Sequence, residues 1–281
     1  MSLTVAALLL QARAAGVDRL DAQLLLAHLL QRPRTWLISH DDVIVDTGLP
    51  AAFSALVAER ARGVPLAYLV GTREFHGLLL QVTADVLVPR PDSETLVNEA
   101  LQRLAVNDRA VHRTDRPTLV ADLGTGSGAI ALAIKAARPL VQVVATDFSA
   151  AALDVARGNA QRLALVIDFL QGDWFGAFAA DQRFDMIVSN PPYIDAEDPH
   201  LLALHAEPLS ALTPGRDGLA AMRIIVAQAP AHLHPGGWLL LEHGHSQGPA
   251  LRSLLLGHGF SEVGSARDLA GQERVSVGQR A

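Results

Sequence analysis

The chain contains no cysteine. That excludes a disulfide framework, a thiolate-ligated zinc site and a cysteine nucleophile, and it accords with a reducing compartment. Lysine is almost missing too: Lys135 stands alone, and arginine supplies the rest of the 23 basic residues. They are outnumbered by 29 acidic ones, for a formal net charge of −6. No global field therefore draws the protein to nucleic acid or to an anionic membrane. Aromatic residues make up only 5%. No apolar run reaches the roughly 18 residues a membrane helix needs. The short stretch Val5–Leu10 has no basic residue ahead of it and is broken by Gln11 and Arg13, which makes it a poor signal peptide. A cytoplasmic protein is expected. What remains is 50% hydrophobic over 281 residues, ample for a sizeable core in one large domain or two.

The first stretch reads as helical. Leu20, Leu24, Ala27 and Leu30 recur at helical spacing behind Asp18, as do Phe53, Leu56, Val57 and Arg60, and Gly63 with Pro65 stops the run. Residues 68–91 change character. Tyr68–Gly71, Leu78–Val82 and Val86–Val88 are β-prone and punctuated by glycine, which suggests a hairpin connector closed by Pro89-Arg90-Pro91. Asp92 is placed to cap a following helix that buries Leu96, Val97, Ala100, Leu101 and Leu104, and 112–116 reads as an exposed loop. From Thr118 onward, short apolar runs alternate with helical patterns, ending in Trp238–Glu242, Pro249–Leu256, Phe260–Val263 and Arg274–Val277. Such alternation predicts a mainly parallel sheet covered by helices on both faces. The expected layout is a helical domain over 1–67, a hairpin linker over 68–91 and an α/β domain over 92–281.

Two motifs carry chemistry. Asp122-Leu-Gly-Thr-Gly-Ser-Gly128 follows a predicted strand and opens a helix. Its glycines permit a sharp turn and close approach of a ligand, and the helix N-terminus offers free N–H groups to an anionic group. Asp147 ends the next strand, where a carboxylate can accept from both hydroxyls of a ribose. Gly124, Gly126 and Ala129 satisfy a dinucleotide fingerprint. The same turn serves S-adenosylmethionine, so nicotinamide, flavin and sulfonium donors all stay open on this motif alone, as does a ligand-free tight turn.

The second motif narrows the choice. An apolar strand ends in Asn190-Pro191-Pro192-Tyr193. The prolines fix φ and remove two N–H donors, so the carbonyls of Asn190 and Pro191, with the Asn190 side chain, can accept both hydrogens of an –NH₂ group. Tyr193 can stack on a planar amide or base. A carboxamide or exocyclic amine is a weak nucleophile because its lone pair is delocalised. Holding both N–H bonds turns that lone pair toward an electrophile, and the proton leaves afterwards without a side-chain base.

Together these segments resemble the release-factor glutamine methyltransferases, the PrmC/HemK family. The resemblance runs over nearly the whole chain: Arg73-Glu-Phe75, Val88-Pro-Arg-Pro-Asp-Ser-Glu94, Asp122–Gly128, Gly172-Asp-Trp-Phe175, Ser189–Tyr193 and Leu240-Leu-Glu-His-Gly244. The Asn-Pro-Pro-Tyr tetrapeptide is shared with methyltransferases acting on adenine; the Pro-Arg-Pro-Asp and Leu-Leu-Glu-His-Gly segments are more particular. Ser93 and Ser127 stand where the family often has threonine, and both keep the hydroxyl.

The resemblance implies an α/β enzyme with a seven-strand Rossmann-like methyltransferase domain, a small N-terminal helical substrate-recognition domain and a β-hairpin linker. It implies N5-methylation of the glutamine in the Gly-Gly-Gln motif of peptide chain release factors, with S-adenosyl-L-methionine converted to S-adenosyl-L-homocysteine. Carried over by position, Gly124, Thr125, Gly126, Ser127, Gly128, Asp147, Trp174 and Asn190 would hold the cofactor. Asn190, Pro191, Pro192 and Tyr193 would hold the substrate amide, with Asn190, Pro191 and Tyr193 catalytic.

The remaining residues divide less sharply. Trp174 and Phe175 could flank an adenine or simply pack in the core. Arg73, Phe75, Arg90 and Glu94 could close over a cofactor or tie the domains together. His243 and His245, beside Glu242, lack the further carboxylates of a metal site, so no metal is expected. Residues 194–216 read as a long loop behind the second motif, suited to a lid or a docking surface. Two rival functions stand beside glutamine methylation: methylation of a nucleic-acid amino group such as adenine N6, and an inactive cofactor-binding adaptor. The acidic balance argues against the first and the intact Asn190 and Tyr193 against the second. Release factors are the expected partners, with no membrane, no direct nucleic-acid binding and a monomeric state.

Overall fold

The computed structural model describes residues 3–110 and 116–281; apart from Arg116, the loop expected over 112–116 lies outside them. The chain divides into two compact units. One runs through Thr72 and takes in Ala203–Ala206; the other holds Arg73–Leu202 and Glu207–Ala281.

The first unit is helical: α1 (Val5–Ala14), α2 (Arg19–Leu30), α3 (Arg34–Ser39), α4 (Leu49–Ala61) and α5 (Leu66–Val70). Local chemistry sets the starts. Thr4 Oγ1 accepts from Ala7 N at 3.2 Å ahead of α1, and Asp18 Oδ1 accepts from Leu20 N at 2.7 Å ahead of α2. One core gathers most of the apolar faces read from the sequence, with Leu8, Leu25, Leu26, Leu37 and Phe53 fully buried; on α2 the buried side is Ala22, Leu25, Leu26 and Ala27, whereas Leu20, expected inside, is exposed and Leu24 lies half-buried outside the core. Tyr68–Val70, expected to be extended, forms the end of α5 instead. Gly71 stops it with φ +75°, a left-handed C-cap that only glycine adopts without strain.

A hairpin whose first strand starts at the last residue of the first unit's main segment opens the second: β1 (Thr72–Phe75) and β2 (Leu78–Gln81), followed by a 3₁₀ turn at Pro91–Ser93 and α6 (Glu94–Ala110). Asp92 lies inside that turn and does not cap α6, and Val86–Val88 is not a strand. The hairpin is anchored in this unit: Phe75 and Leu80 are buried in the same core as Leu96, Val97 and Leu104. Then come β3 (Leu119–Leu123), α7 (Ala129–Ala137), β4 (Gln142–Asp147), α8 (Ala150–Leu163), β5 (Asp168–Gln171), β6 (Phe184–Ser189), α9 (Leu209–Leu212), α10 (Ala220–His232), β7 (Leu233–Glu242), α11 (Gly248–Gly257), β8 (Phe260–Arg267) and β9 (Glu273–Arg280).

Seven strands form one sheet in the order β5-β4-β3-β6-β7-β9-β8. Strands β3 to β7 are parallel, and β9 slots in antiparallel between β7 and β8. The mainly parallel α/β sheet is as expected. The antiparallel insertion is not visible in the alternation, because Phe260–Val263 and Arg274–Val277 look alike whichever way they run. Helix α10 carries Pro230 inside it.

The chain leaves β3 toward β4 and β5 on one side and returns to β6 on the other, so β3 and β6 flank the switch point where α/β sheets bind ligands. Leu123 pairs with Thr146 and with Ser189, and Ser189 pairs with Leu241. The next residues, Gly124, Asp147, Asn190 and Glu242, therefore start one row across the carboxyl edge of the sheet. Among the described residues no helix is long and apolar enough to cross a membrane.

Candidate active site

At this edge lies a cavity of about 440 Å³, built wholly from the second unit; small-molecule sites commonly fall between about 300 and 1,000 Å³. Its wall includes Gly124, Thr125, Gly126, Ser127, Asp147, Trp174, Asn190 and Pro192. Gly128, Pro191 and Tyr193 are not part of the wall.

The glycine turn is held from below. The N–H groups of Gly124 and Thr125 both donate to Thr146 O at 2.9 Å. Asp122, wholly buried, accepts from Thr125 Oγ1 at 2.6 Å and from Ala131 N at 3.2 Å. Burial pushes its carboxyl up to about 7. Gly128 has φ +84°, and a Cβ there would stand 3.0 Å from Leu132 Cδ1 and 3.3 Å from Ala156 Cβ. Its role is close packing of α7 on α8 rather than contact with the cavity. Asp147 fastens the turn from the side: Oδ2 accepts from Gly126 N at 2.8 Å and Oδ1 from Ser149 N at 2.9 Å. Burial raises its pKa, against the pull of these bonds.

Trp174 lies across from the turn, its Cζ3 3.6 Å from where a Cβ on Gly124 would be. It is held at φ +47°, a costly backbone for a bulky side chain. Phe175 takes the other of the two fates read from the sequence: it is buried and stacks on His232 with centroids 4.8 Å apart. Phe75 and Arg90 also line the cavity. Glu94 accepts from His76 N at 3.0 Å, and Arg73 Nε is buried with no hydrogen-bond partner among the described residues.

At the second motif, Ser189 Oγ donates to Leu123 O at 2.6 Å, tying β6 to β3 just before the corner. Asn190 Nδ2 donates to Ser93 Oγ at 3.2 Å. Tyr193 does not line the cavity, and its hydroxyl donates to Glu242 Oε1 at 3.4 Å. Burial, followed by the nearby Glu242 carboxylate, pushes the phenol above its ordinary value, so it stays a donor. Gln247 bridges the motif to the end of β7: Nε2 donates to Tyr193 O at 3.0 Å and Oε1 accepts from Gly244 N at 2.8 Å. Gly218 closes the corner, since a Cβ there would fall 2.4 Å from Tyr193 O.

Glu242 is fully buried. Burial raises its carboxyl to about 7; hydrogen bonds from Ser93 and Tyr193 and the charge of Arg274 pull it down, and Asp92 pushes it up. Arg274 is itself shared between Asp92 and Asp268, at 3.2 Å each. A carboxyl whose pKa rises on folding binds its proton more tightly in the fold. The resulting stabilisation is complete below the ordinary values of 3.8 for Asp122 and 4.5 for Glu242, and is lost as pH rises through about 7. Stability is therefore expected to decline between about pH 4 and pH 7, and Glu242→Gln is expected to flatten that decline by about 1–3 kcal/mol in denaturant titrations.

Several supporting residues escaped the sequence reading. Asn159, fully buried, accepts from Gln81 N at 2.7 Å and donates to Gln81 O and Ser127 O at 2.9 Å each, joining hairpin to glycine turn. Glu207 accepts from Val88 N at 3.1 Å and from Arg90. It sits in the stretch read as a plain loop, which in fact carries a 3₁₀ helix at Pro199–Leu204 and α9 and contributes Pro208, Ser210 and Ala211 to the cavity wall. His243 is buried, with Nδ1 2.9 Å from Gly244 O and Nε2 2.9 Å from Ser276 Oγ. Among the described residues no group of three or more His, Asp or Glu could hold a metal ion.

A parallel sheet with one antiparallel strand slotted beside its edge, and both ligand loops at the switch point, defines a Rossmann-like methyltransferase. Known proteins narrow this further. The PrmC N-terminal domain family matches residues 2–71, and the methyltransferase small domain family matches residues 106–207. A release factor glutamine methyltransferase of Xylella fastidiosa is 51% identical over 274 residues, 96% of each chain. That of Escherichia coli is 42% identical over 272 residues, 96% of this chain and 95% of its own. Among solved structures, the T. thermophilus 16S rRNA N2 G1207 methyltransferase, in complex with AdoMet and guanosine, gives a TM-score of 0.54 at 24% identity, over 75% of this chain and 50% of that one; this likeness speaks to the fold. The chain belongs to the release factor glutamine methyltransferase family.

Proposed function

We propose that this enzyme methylates N5 of the glutamine side chain in the Gly-Gly-Gln motif of peptide chain release factors, using S-adenosyl-L-methionine. The observation that carries the reading is the shared cavity: the glycine turn after β3, the acid that ends β4 and the asparagine after β6 all contribute to one wall.

The residues fit the donor. The positive-φ glycines leave backbone open to close approach, Asp147 offers carboxylate oxygens at the cavity wall for ribose hydroxyls, and Trp174 gives a flat apolar face for an adenine. When bound, S-adenosyl-L-methionine supplies an electrophilic sulfonium methyl and leaves as S-adenosyl-L-homocysteine. Asn190 Oδ1 and the Pro191 carbonyl accept the two N–H bonds of the substrate carboxamide, which orients its nitrogen. Pro191 and Pro192 stiffen the corner that presents those acceptors. Tyr193, fixed by Glu242 and Gln247, buttresses the corner. The excess proton passes to water, so these residues work by positioning, which can supply several kcal/mol of barrier lowering.

The test is a competition. Enzyme and methyl-labelled cofactor are offered a purified release factor, duplex DNA and RNA together. Label is expected in the release factor alone, and to vanish when its Gly-Gly-Gln glutamine is replaced by alanine. Label in nucleic acid alone would refute the reading.

A further inference from the structure

The amide of Asn190 must present its oxygen, and not its nitrogen, to a substrate –NH₂. Nothing in the Asn-Pro-Pro-Tyr corner enforces that choice, because a carboxamide is nearly symmetric in shape. The answer comes from 97 residues away, in the turn before α6.

Ser93 is buried, and its Oγ accepts from Asn190 Nδ2 at 3.2 Å. Behind it lies the buried Glu242 carboxyl, whose Oε1 accepts from the Tyr193 hydroxyl at 3.4 Å and whose Oε2 has no hydrogen-bond partner among the described residues, an open acceptor for the Ser93 hydrogen. A hydroxyl has one hydrogen. Once it is committed to the buried carboxyl, Ser93 turns only lone pairs toward Asn190, and those can be met by the amide nitrogen alone. With Nδ2 taken, Oδ1 is the end left for a ligand. The polarity thus runs from Glu242 through Ser93 to Asn190, and a second arm from Glu242 fixes Tyr193.

We propose that Ser93, backed by Glu242, is a positioning residue that locks the Asn190 amide with its oxygen available to the substrate. The proposal deepens the glutamine-amide function and rests on it for its kinetic consequence. Ser93 is part of the same cavity wall, and the role assigned to it runs through Asn190.

The test uses the full chain. Ser93→Ala is expected to lower kcat by about tenfold, the order expected for one lost orienting hydrogen bond, with the KM for S-adenosylmethionine and the thermal midpoint little changed. Ser93→Thr, which keeps the hydroxyl, is expected to restore most of the loss. Ser93→Val against Ser93→Thr repeats the comparison at equal volume should the alanine variant fold poorly. Adding Ser93→Ala to Asn190→Ala is expected to cost nothing further, since nothing remains to be oriented. Wild-type turnover in Ser93→Ala, equal losses in both backgrounds, or no recovery with threonine would overturn the proposal. A second readout needs no substrate: in ¹⁵N-resolved NMR, the Asn190 side-chain amide is expected to exchange with water more slowly in wild type and Ser93→Thr than in Ser93→Ala. Equal exchange in all three would also overturn the lock. If wild type leaves release factors unlabelled, the proposed function fails, and the amide exchange still decides the role of Ser93.

Discussion

Asn190→Ala is expected to lower kcat by about 10²–10³-fold while cofactor affinity changes little. The figure follows from what an amide nucleophile needs. Its lone pair is delocalised into the carbonyl, and the methyl acceptor must be held so that the pair faces the electrophile in line. An acceptor on each N–H bond does this, and one preorganised hydrogen bond at a reacting group is typically worth about 10²–10³ in rate. In the alanine variant Pro191 still offers a carbonyl, so the amide loses one of two tethers. The neighbourhood survives: Ser189 still ties β6 to β3, and Gln247 still holds Tyr193 O. Steady-state kinetics with saturating release factor, beside calorimetric titration of the cofactor, separates the effects. Asn190→Asp is expected to fall between wild type and alanine, because it keeps an acceptor oxygen but loses the donor that meets Ser93 Oγ. Wild-type turnover in Asn190→Ala would remove the role given to this side chain.

Asp147→Ala is expected to act on the other substrate. It should weaken S-adenosylmethionine binding by about 10–100-fold, the worth of about 1.5–3 kcal/mol for hydrogen bonds to a charged group. Asp147 does two things. Its oxygens hold Gly126 N and Ser149 N, and so shape the turn before any ligand arrives. At the cavity wall the same carboxylate is placed for ribose hydroxyls. Alanine removes both, whereas Asp147→Asn keeps acceptor capacity without the charge and is expected to lose less. Titration calorimetry gives the affinities, and at saturating cofactor the alanine variant is expected to keep kcat within a few-fold. An unchanged affinity would show that the acid merely braces the loop.

Much of this architecture could be read from the residues. The parallel sheet follows from apolar runs alternating with helical faces, and β6 shows as the apolar strand that leads into Asn190. A cap such as Ser149 lies within reach of local sequence because it acts three residues away, accepting from Ala152 N at 3.2 Å. The two motifs stood out since each packs its chemistry into a handful of neighbours. What was not legible is long-range. Asn159 meets Gln81 across 78 positions and Glu207 meets Val88 across 119, and a single polar residue in a helix or loop carries no sign of such a partner. Tyr193 shows a further limit. Its chemistry suits stacking on an amide, but the sequence cannot reveal that its hydroxyl meets a buried acid on β7. The connection from β8 to β9 is too short for a parallel crossover and so points to an antiparallel pair, a signal that the alternation of strands and helices does not carry.

Common to all of this is one claim, that the corner after β6 grips a substrate carboxamide beside the donor. A crystal structure with S-adenosyl-L-homocysteine and a glutamine-bearing release-factor fragment tests it without turnover. The amide nitrogen is expected within about 3 Å of both Asn190 Oδ1 and the Pro191 carbonyl oxygen, with the cofactor sulfur on the cavity side of that nitrogen. A glutamine bound elsewhere, or an Asn190 side chain turned from it with its nitrogen foremost, would contradict the account.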